Sequence, residues 1–455
     1  MFMRMRKQWI VLLVMLALLA AGCSQAPKMV RVAGTIVDQH RRPVSNGALV
    51  IGSAMAKTSK AGHFTISAPA GDNTAVLLVK GYRPQIVPLT LGEESQTVTI
   101  TAKLDKTSRR SGSTVDYLLL LDSLHKTDIS SGSGFTYLTG AEMKEAALVH
   151  AGIVDLETAV QYLSPAAMKR LCELLRIRHI VWIQKDLDKH LQIFSANSGR
   201  ITSIPFEESR GVRKLAAPLA SFQGIPGSEE KPRGIEANLA KEVRAYMEQL
   251  YDVTYTGRDI RRIERIAEPV IAVSERPNLQ FTFGILETSE YNAYALPGGY
   301  IYITRPLLEM LESDDELAAV LAHESAHITH IHAIKSYERQ VALTVASIFL
   351  AVATGDADSI DFVRIIGNII TEGYSKEQEY DADRTGLRYI SRAGYDPEGM
   401  VSLLTKLQDL EYRLTGGRRS YSRTHPATHN RIKQVKAELS TIEYYRFLDQ
   451  YLLSL

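Results

Sequence analysis

The sequence contains few cysteines and little net charge. Its two cysteines, Cys23 and Cys172, are too few for a disulfide framework. The formal net charge is +2, and three of the basic residues precede the first apolar stretch. Without residues 1–22 the chain has 50 basic and 51 acidic residues. This balance provides no electrostatic basis for nucleic-acid binding, and we expect no nucleic-acid partner.

Long apolar segments and internal repeats are also lacking. The run VALTVASIFLAVATG at 341–355 is about fifteen residues long, which fits a buried or interfacial helix better than a membrane span. No repeat of 20–50 residues follows the C-terminal part, which excludes a tetratricopeptide array. The apolar fraction of 45% and the charged fraction of 23% are typical of a globular protein. A chain of 455 residues is expected to form two to four domains.

The N-terminus has the pattern of a secretory signal over residues 1–22. Basic residues precede an apolar region that ends in Gly22-Cys23. The ending LLAAGC resembles the bacterial lipobox, which implies that Cys23 is lipidated and that residues 23–28 form the anchored N-terminus. Ser24 stands where aspartate would signal inner-membrane retention, so the resemblance favours the outer membrane, facing the periplasm. The alternative is an ordinary cleaved signal with an incidental cysteine.

The remaining chain divides at two polar linkers, 106–114 and 222–234. Residues 29–105 alternate apolar and polar positions between turns, which predicts a small β-sandwich. This segment resembles the carboxypeptidase regulatory-like domain, a module that usually carries no catalytic residues. Residues 115–222 mix helical and strand patterns and are predicted to be a small α/β domain of unknown role. Residues 235–455 are predicted to be mostly helical with one β insertion.

The stretch LAHESAHITHIHA at 321–333 contains four of the twelve histidines. His323 and His327 are four residues apart, so on a helix both imidazoles project from the same face, as two ligands of Zn²⁺ do. Glu324 lies about 100° around the helix, where it can reach a water without binding the metal. Ser313 and Glu316 form a predicted capping box ahead of this helix. His330 and His332 do not share the face of the first two histidines and are interpreted as bystanders.

A third ligand must come from elsewhere in the chain. A metzincin would have a histidine six residues after His327, but that position is Ala333. The best candidate is Glu379, with Asp383 four residues later on a predicted helix to orient a ligand histidine. Glu372 and Glu377 compete on spacing, and a solvated acidic helix face is the alternative interpretation.

Four ordered motifs resemble those of the HtpX-like and BepA-like zinc metallopeptidases. They are NAYALPGGYIYI at 292–303, H-E-S-A-H at 323–327, E-Y-D-A-D at 379–383 and HPATHNR at 425–431. The CAAX prenyl endopeptidases are related to this group. The resemblance implies a mainly helical, gluzincin-type domain with a small β-sheet over residues 235–455. It assigns one Zn²⁺ to His323, His327 and Glu379, the general base to Glu324, and a supporting role to Asp383.

The resemblance also implies a substrate-binding edge strand. An extended peptide would pair with this strand through its backbone, and the residues involved would be Asn292, Ala293, Tyr294, Ala295, Gly298 and Gly299. On composition alone, the Pro-Gly-Gly segment predicts only a hairpin turn.

The resemblance further implies that His425 and Arg431 lie near the metal. His425 either stabilises the oxyanion of the transition state or occupies the open zinc position and keeps the enzyme latent. Arg431 would orient His425 or the substrate carbonyl. The alternative for both is a surface loop with a helix-starting His-Pro.

The sequence therefore predicts a lipid-anchored periplasmic zinc endopeptidase that cleaves misfolded or stalled envelope proteins. In the alternative hypothesis the chain is an envelope scaffold or chaperone-like binding protein with a latent zinc domain. In either case, residues 29–222 could recruit a partner complex.

Overall fold

The computed structural model describes two compact units, Met1–Thr107 and Ser108–Leu455. Its described residues are 28–52, 54–105, 115–120, 137–138, 140–183, 190–205, 232, 234–339, 373–415, 425 and 429–455. Cys23, the linker 106–114, most of the linker 222–234, the apolar run 341–355 and Glu372 therefore lie outside the described residues.

The N-terminal unit consists of two β-sheets. Its strands are β1 Met29–Asp38, β2 Gly47–Ile51, β3 Ala54–Lys57, β4 His63–Pro69, β5 Gly71–Val79, β6 Gln85–Leu91 and β7 Gln96–Ala102. One sheet has the order β4-β1-β7 and the other β3-β2-β5-β6. Buried and exposed positions alternate along β1 and β4, and the buried side chains of both sheets form one apolar core. The predicted β-rich N-terminal part is confirmed.

The second unit begins with a five-stranded sheet of order β12-β11-β10-β8-β9. The elements are β8 Val115–Leu120, β9 Tyr137–Leu138, α1 Gly140–Ala151, α2 Leu156–Tyr162, α3 Pro165–Leu175, β10 Ile177–Ile183, β11 His190–Ser195 and β12 Arg200–Pro205. Ser164 caps α3, and Cys172 is buried on this helix. Burial raises the pKa of the Cys172 thiol to about 12, so this cysteine is an inert apolar side chain.

The C-terminal part is mainly helical and contains a four-stranded sheet of order β13-β14-β16-β15. Its elements are α4 Ile235–Leu250, β13 Asp252–Thr254, α5 Arg258–Ala272, β14 Thr282–Glu287, β15 Ala293–Leu296, β16 Tyr300–Thr304, α6 Arg305–Met310, α7 Asp314–Thr329, α8 Lys376–Ala393, α9 Glu398–Thr415 and α10 His429–Ser454. Residues 332–339 are also helical. The predicted mainly helical C-terminal domain with a small sheet is confirmed.

The α/β segment packs directly on the C-terminal helices. The buried guanidinium of Arg392 donates to the carbonyls of Leu163, at 3.1 Å, and of Val273, at 3.0 Å. The Tyr162 hydroxyl donates to Glu438 Oε1 at 2.7 Å. These buried polar contacts between distant parts of the chain explain why residues 108–455 form a single compact unit.

Helix α7 is enclosed on all sides: every residue from Glu316 to Thr329 is buried. Ser313 begins the helix, with its hydroxyl accepting from the Glu316 amide at 3.1 Å. This half of the predicted capping box is confirmed. The carboxylate of Glu316 instead accepts from the Glu312 amide at 2.7 Å and from the Ser402 hydroxyl at 2.6 Å, which ties the helix start to α9.

Helices α7 and α8 approach closely at Gly386. A Cβ at this position would lie 3.3 Å from the His323 amide nitrogen and 3.1 Å from Met400 Cε. The missing side chain therefore lets α8 lie directly against the H-E-x-x-H turn of α7. This approach brings the carboxylates of α8 to the histidines of α7.

Among the residues that the structure describes, no helix is long and apolar enough to cross a membrane.

Candidate metal centre

Four buried side chains from three parts of the chain converge beside α7. His323 and His327 come from α7, Glu379 from α8, and His425 from the segment before α10. The Nε2 atoms of His323 and His327 are 3.1 Å apart, and His425 Nδ1 lies 3.3 Å from His323 Nε2. A carboxylate oxygen of Glu379 lies 3.4 Å from His327 Nε2 and 2.9 Å from His425 Nδ1.

These distances fit a tetrahedral metal ion. Zn²⁺ binds imidazole nitrogen and carboxylate oxygen at about 2.0–2.2 Å, so its ligand atoms lie about 3.3 Å from one another. The charges also fit: among the described residues, the buried groups of this cluster include the carboxylates of Glu324, Glu379 and Asp383 and one guanidinium, that of Arg431. With neutral imidazoles these groups sum to two negative charges, which a divalent cation would neutralise.

The ring of His323 is oriented by a carboxylate on its other nitrogen. His323 Nδ1 lies 3.1 Å from Asp383 Oδ1, so its Nε2 is directed at the cluster. Burial lowers the pKa of His323, but the nearby carboxylates of Asp383 and Glu379 outweigh it and raise the pKa to about 9. Asp383 thus occupies the position expected of a group that orients a ligand histidine.

Arg431 joins two carboxylates of α8. Its guanidinium donates to Asp383 from Nε at 2.7 Å and from Nη2 at 2.6 Å, and Nη1 lies 2.6 Å from Glu379 Oε2. Burial raises the pKa of Asp383, but Arg431 outweighs it and the pKa lies below its usual value. For Glu379, burial is likewise outweighed, here by the charges of His425 and Arg431, and the pKa lies well below its usual value. Both groups are therefore ionised.

Glu324 lies next to His323 on α7 and is buried at the same cluster. Its Oε1 atom is 3.8 Å from His425 Nε2. Its Oε2 atom is buried and has no hydrogen-bond partner among the described residues. A buried carboxylate oxygen without a donor is well suited to accept a proton.

The two glutamates in the first turn of α8, Glu377 and Glu379, differ in their exposure to solvent. Glu377 is exposed to solvent, whereas Glu379 and Asp383 are buried against α7. A capping box at Ser375 and Gln378 fixes the start of α8 and hence the rotation that directs Glu379 inward.

The segment proposed to bind substrate contains β15, the last strand of its sheet in the described part of the chain. Asn292 and Thr304 exchange bonds at the start of the strand pair: the Thr304 amide donates to the Asn292 carbonyl at 3.0 Å. Alternation along an antiparallel pair then directs the N–H and C=O of Ala293 and Ala295 to the outer edge. Ala293, Tyr294 and Ala295 are buried, so this edge is covered.

Gly298 and Gly299 form the turn between β15 and β16. Both have positive φ, +81° and +94°, a conformation that favours glycine. A Cβ on Gly298 would lie 2.8 Å from the Ala240 side chain, so this turn packs against α4. The structure therefore shows the predicted hairpin turn.

Two further side chains, Tyr374 and His332, contact the cluster although sequence analysis did not assign them to it. Tyr374 stacks on His327 with ring centroids 3.9 Å apart, and its hydroxyl donates to the Ala295 carbonyl at 3.1 Å. His332 lies on the far side of His327 and in turn contacts Asp381. Nothing in the spacing of Tyr374 distinguishes it from a core aromatic residue.

A buried H-E-x-x-H helix whose two histidines meet a glutamate from a second helix is the arrangement of the zinc metallopeptidase class. Residues 258–439, from α5 into α10, match the sequence profile of Peptidase family M48. The domain that contains the site belongs to this family.

The chain is also similar in sequence to proteins that are named as proteases. The chain is 31% identical over 179 residues to the "Putative beta-barrel assembly-enhancing protease" of Vibrio cholerae, which is 37% of each chain. It is 30% identical over 188 residues to "Mitochondrial metalloendopeptidase OMA1" of Schizosaccharomyces pombe, covering 40% of this chain and 54% of the other. The match to the "Beta-barrel assembly-enhancing protease" of Yersinia pestis is 28% over 233 residues, or 49% and 46%. The chain thus spans about a third to a half of these relatives.

Proposed function

We propose that this chain is a zinc-dependent endopeptidase of the bacterial envelope that cleaves unfolded or misassembled proteins. The observation that carries the proposal is the convergence of His323, His327 and Glu379 at the spacing of metal ligands, with the carboxylate of Glu324 beside them. The family membership of the domain supports the same chemistry.

The three residues His323, His327 and Glu379 would hold the ion. When bound, Zn²⁺ would polarise the scissile carbonyl and lower the pKa of the attacking water. Glu324 accepts the proton of that water on its carboxylate and delivers it to the leaving amine. Asp383 keeps the His323 ring in the tautomer that directs Nε2 at the metal.

The proposed substrate class follows from the edge of β15 and the pocket beside it. The outward N–H and C=O groups of Ala293 and Ala295 suit an extended backbone. An apolar pocket next to His425 suits an apolar side chain, and its lining includes Leu239, Val243, Tyr294, Leu296, Pro297 and Tyr374. Unfolded proteins offer both features, whereas folded proteins bury them.

The structure resembles a latent state of such an enzyme. His425 Nδ1 lies 3.3 Å from His323 Nε2 and 2.9 Å from Glu379 Oε1, which is the spacing between ligands of one metal ion. His425 would then occupy the metal position that substrate needs. Tyr374 also binds the Ala295 carbonyl on the outer edge of β15. Of the two roles considered for His425, we infer the latency ligand.

Replacing His425 by alanine is expected to increase cleavage of unfolded casein about tenfold or more, because activity scales with the fraction of open sites. Zinc content should stay near one per chain. His429→Ala, an exposed histidine at the start of α10, is the matched control and should behave as wild type. A fall in cleavage by His425→Ala would instead support a transition-state role.

Two observations support the scaffold alternative: the edge of β15 is covered, and His425 lies against Glu379. If His425→Ala binds zinc yet cleaves no unfolded substrate, a binding protein with a latent zinc domain becomes the better explanation. Residues 29–222 would then supply the partner surface of an envelope complex.

The envelope location rests on the N-terminal sequence and on the similarity to proteins named as β-barrel assembly-enhancing proteases. In bacterial cells, Cys23→Ser is expected to lose incorporated palmitate and to leave the membrane fraction. Ser24→Asp should move the protein from the outer to the inner membrane. Cys172→Ser is the matched control, and equal loss of label in that variant would contradict the proposed anchor.

A further inference from the structure

A second group of side chains lies beside the metal centre and has no part in the chemistry above. His330, His332 and Asp381 place ligand atoms within 4.8 Å of one another. His330 Nδ1 hydrogen-bonds to Asp381 Oδ2, and His332 Nε2 lies 3.3 Å from the same oxygen. The other nitrogen of His332, Nδ1, lies 2.9 Å from Nδ1 of His327. The group is either a second metal site or a support for the first.

A break in the helix creates this arrangement. In a continuous helix, residues five apart lie about 140° apart around the axis, so His327 and His332 would not meet. Helix α7 ends at Thr329, and Ile331 adopts φ +49°, a left-handed conformation that is rare for a β-branched residue. Helical structure resumes at residue 332. The turn at Ile331 brings the His332 ring back against His327.

The hydrogen positions follow from the metal centre. Nε2 of His327 faces His323 Nε2 and Glu379, so a metal bound there leaves the proton of this imidazole on Nδ1. That N–H donates to Nδ1 of His332 across 2.9 Å. A neutral His332 then carries its own proton on Nε2, which faces the Asp381 carboxylate. Each ring nitrogen of His327 and His332 therefore has one role: His327 Nε2 binds the metal, His327 Nδ1 donates, His332 Nδ1 accepts and His332 Nε2 donates.

A second metal would break this consistency. A metal bound to His332 Nε2 would leave a proton on Nδ1, directed at the Nδ1 proton of His327 only 2.9 Å away. Two buried N–H donors facing each other are strongly unfavourable. The two rings therefore cannot both be neutral and bind separate ions through Nε2.

We propose that His332 and Asp381 form a hydrogen-bond relay that positions His327 for the metal. This inference rests on the proposed function, because it takes His327 as a zinc ligand. The two ligand histidines are then supported differently. His323 meets Asp383 directly, whereas His327 reaches Asp381 through the neutral ring of His332. His332 and Asp381 are positioning residues: His332 contacts the ligand His327 on the nitrogen that faces away from the ion, and Asp381 contacts His332.

Neighbouring contacts fix the relay in place. The side-chain amide of Gln378, in the capping box of α8, donates to the His332 carbonyl at 3.1 Å. Arg384 donates to Asp381 Oδ1 at 3.1 Å, which leaves Oδ2 for the two histidines. Tyr374 covers one face of the His327 ring. The backbone and ring of His332 are thus both anchored to α8.

The test measures zinc stoichiometry by elemental analysis and zinc affinity by chelator competition on the full chain. His332→Ala and Asp381→Asn are expected to bind zinc about 10- to 100-fold more weakly than wild type. His332→Asn should stay within about fivefold, because its amide oxygen can replace Nδ1 as the acceptor. His330→Ala, which removes a ring that contacts Asp381 but not His327, is the matched control and should bind as wild type.

Two further measurements separate positioning from general destabilisation. Thermal unfolding of the metal-free variants tests whether each variant is folded at the temperature at which its zinc affinity is measured. The visible absorption of the Co²⁺-loaded protein should change in His332→Ala and return toward wild type in His332→Asn, which a packing effect would not produce.

The possible outcomes are distinct. Wild type with one zinc, and weak binding only in the relay variants, supports the proposal. Two zinc ions in wild type, with one lost in both His330→Ala and His332→Ala, would overturn the relay in favour of a second metal site. Unchanged affinity in His332→Ala would overturn it while leaving the proposed function intact. Absence of zinc from wild type would refute both.

Discussion

Glu324→Gln is expected to retain zinc and to lose cleavage of unfolded casein by about 10²- to 10⁴-fold, the usual contribution of a general base. The amide has the same shape as the carboxylate but accepts no proton at neutral pH. Glu324 follows the ligand His323 in the chain but is not itself a proposed ligand. Its Oε2 atom makes no hydrogen bond in the described part of the chain. The metal cluster should therefore survive the change.

The matched control is Glu309→Gln, which makes the same change at an exposed position on α6. Both variants are compared with wild type for zinc content and for the initial rate of cleavage. Equal cleavage by Glu324→Gln and wild type, at equal zinc content, would refute the role of Glu324 as the base.

Arg431→Ala is expected to lower the free energy of unfolding by about 3–5 kcal/mol, because it leaves two buried carboxylates without their counter-ion. Arg431 is buried, and its three guanidinium nitrogens lie 2.6–2.7 Å from Asp383 and Glu379. Arg431→Lys should recover only part of this loss, since an ammonium group cannot replace the planar fork. Urea denaturation of the metal-free proteins measures the difference.

The loss should depend on pH. The pKa values of Glu379 and Asp383 lie below their usual 4.5 and 3.8, so the stabilisation by Arg431 is complete above about pH 4.5 and disappears as pH falls through the lowered values. The difference between wild type and Arg431→Ala should narrow in acid. Arg446→Ala on the same helix, whose half-exposed ion pair with Asp396 spans 3.4 Å, is the control and should cost less than about 1 kcal/mol. A similar cost for both variants would contradict the buried charge network.

Local sequence was sufficient to predict the helix that contains the H-E-x-x-H motif. Ser313 begins it as predicted, and the i, i+4 spacing of His323 and His327 survives because nothing interrupts the helix before Thr329. Glu379 and Asp383 lie together on α8 for the same reason. Spacing could not separate Glu379 from Glu377, because that choice depends on which face of α8 turns toward α7.

The prediction that His330 and His332 are bystanders assumed that the helix continues. The assumption fails at Ile331, whose left-handed backbone reverses the direction of the following ring. A β-branched residue carries no sequence signal for such a turn, so the contact between His332 and His327 was not foreseeable. Tyr374 was missed because an aromatic residue ahead of a helix is most often part of a core.

By itself, the sequence determined the chemistry available to this protein: two imidazoles and a carboxylate on one helix, two carboxylates on another, and an alternating β-rich N-terminal segment. Those features follow from periods of 3.6 and 2 residues, which act within single elements. Only the tertiary structure decided which groups meet. The contacts of His425, Arg431 and His332 with the centre depend on how separate elements pack, and the close approach of α7 and α8 at Gly386 is what brings their side chains together.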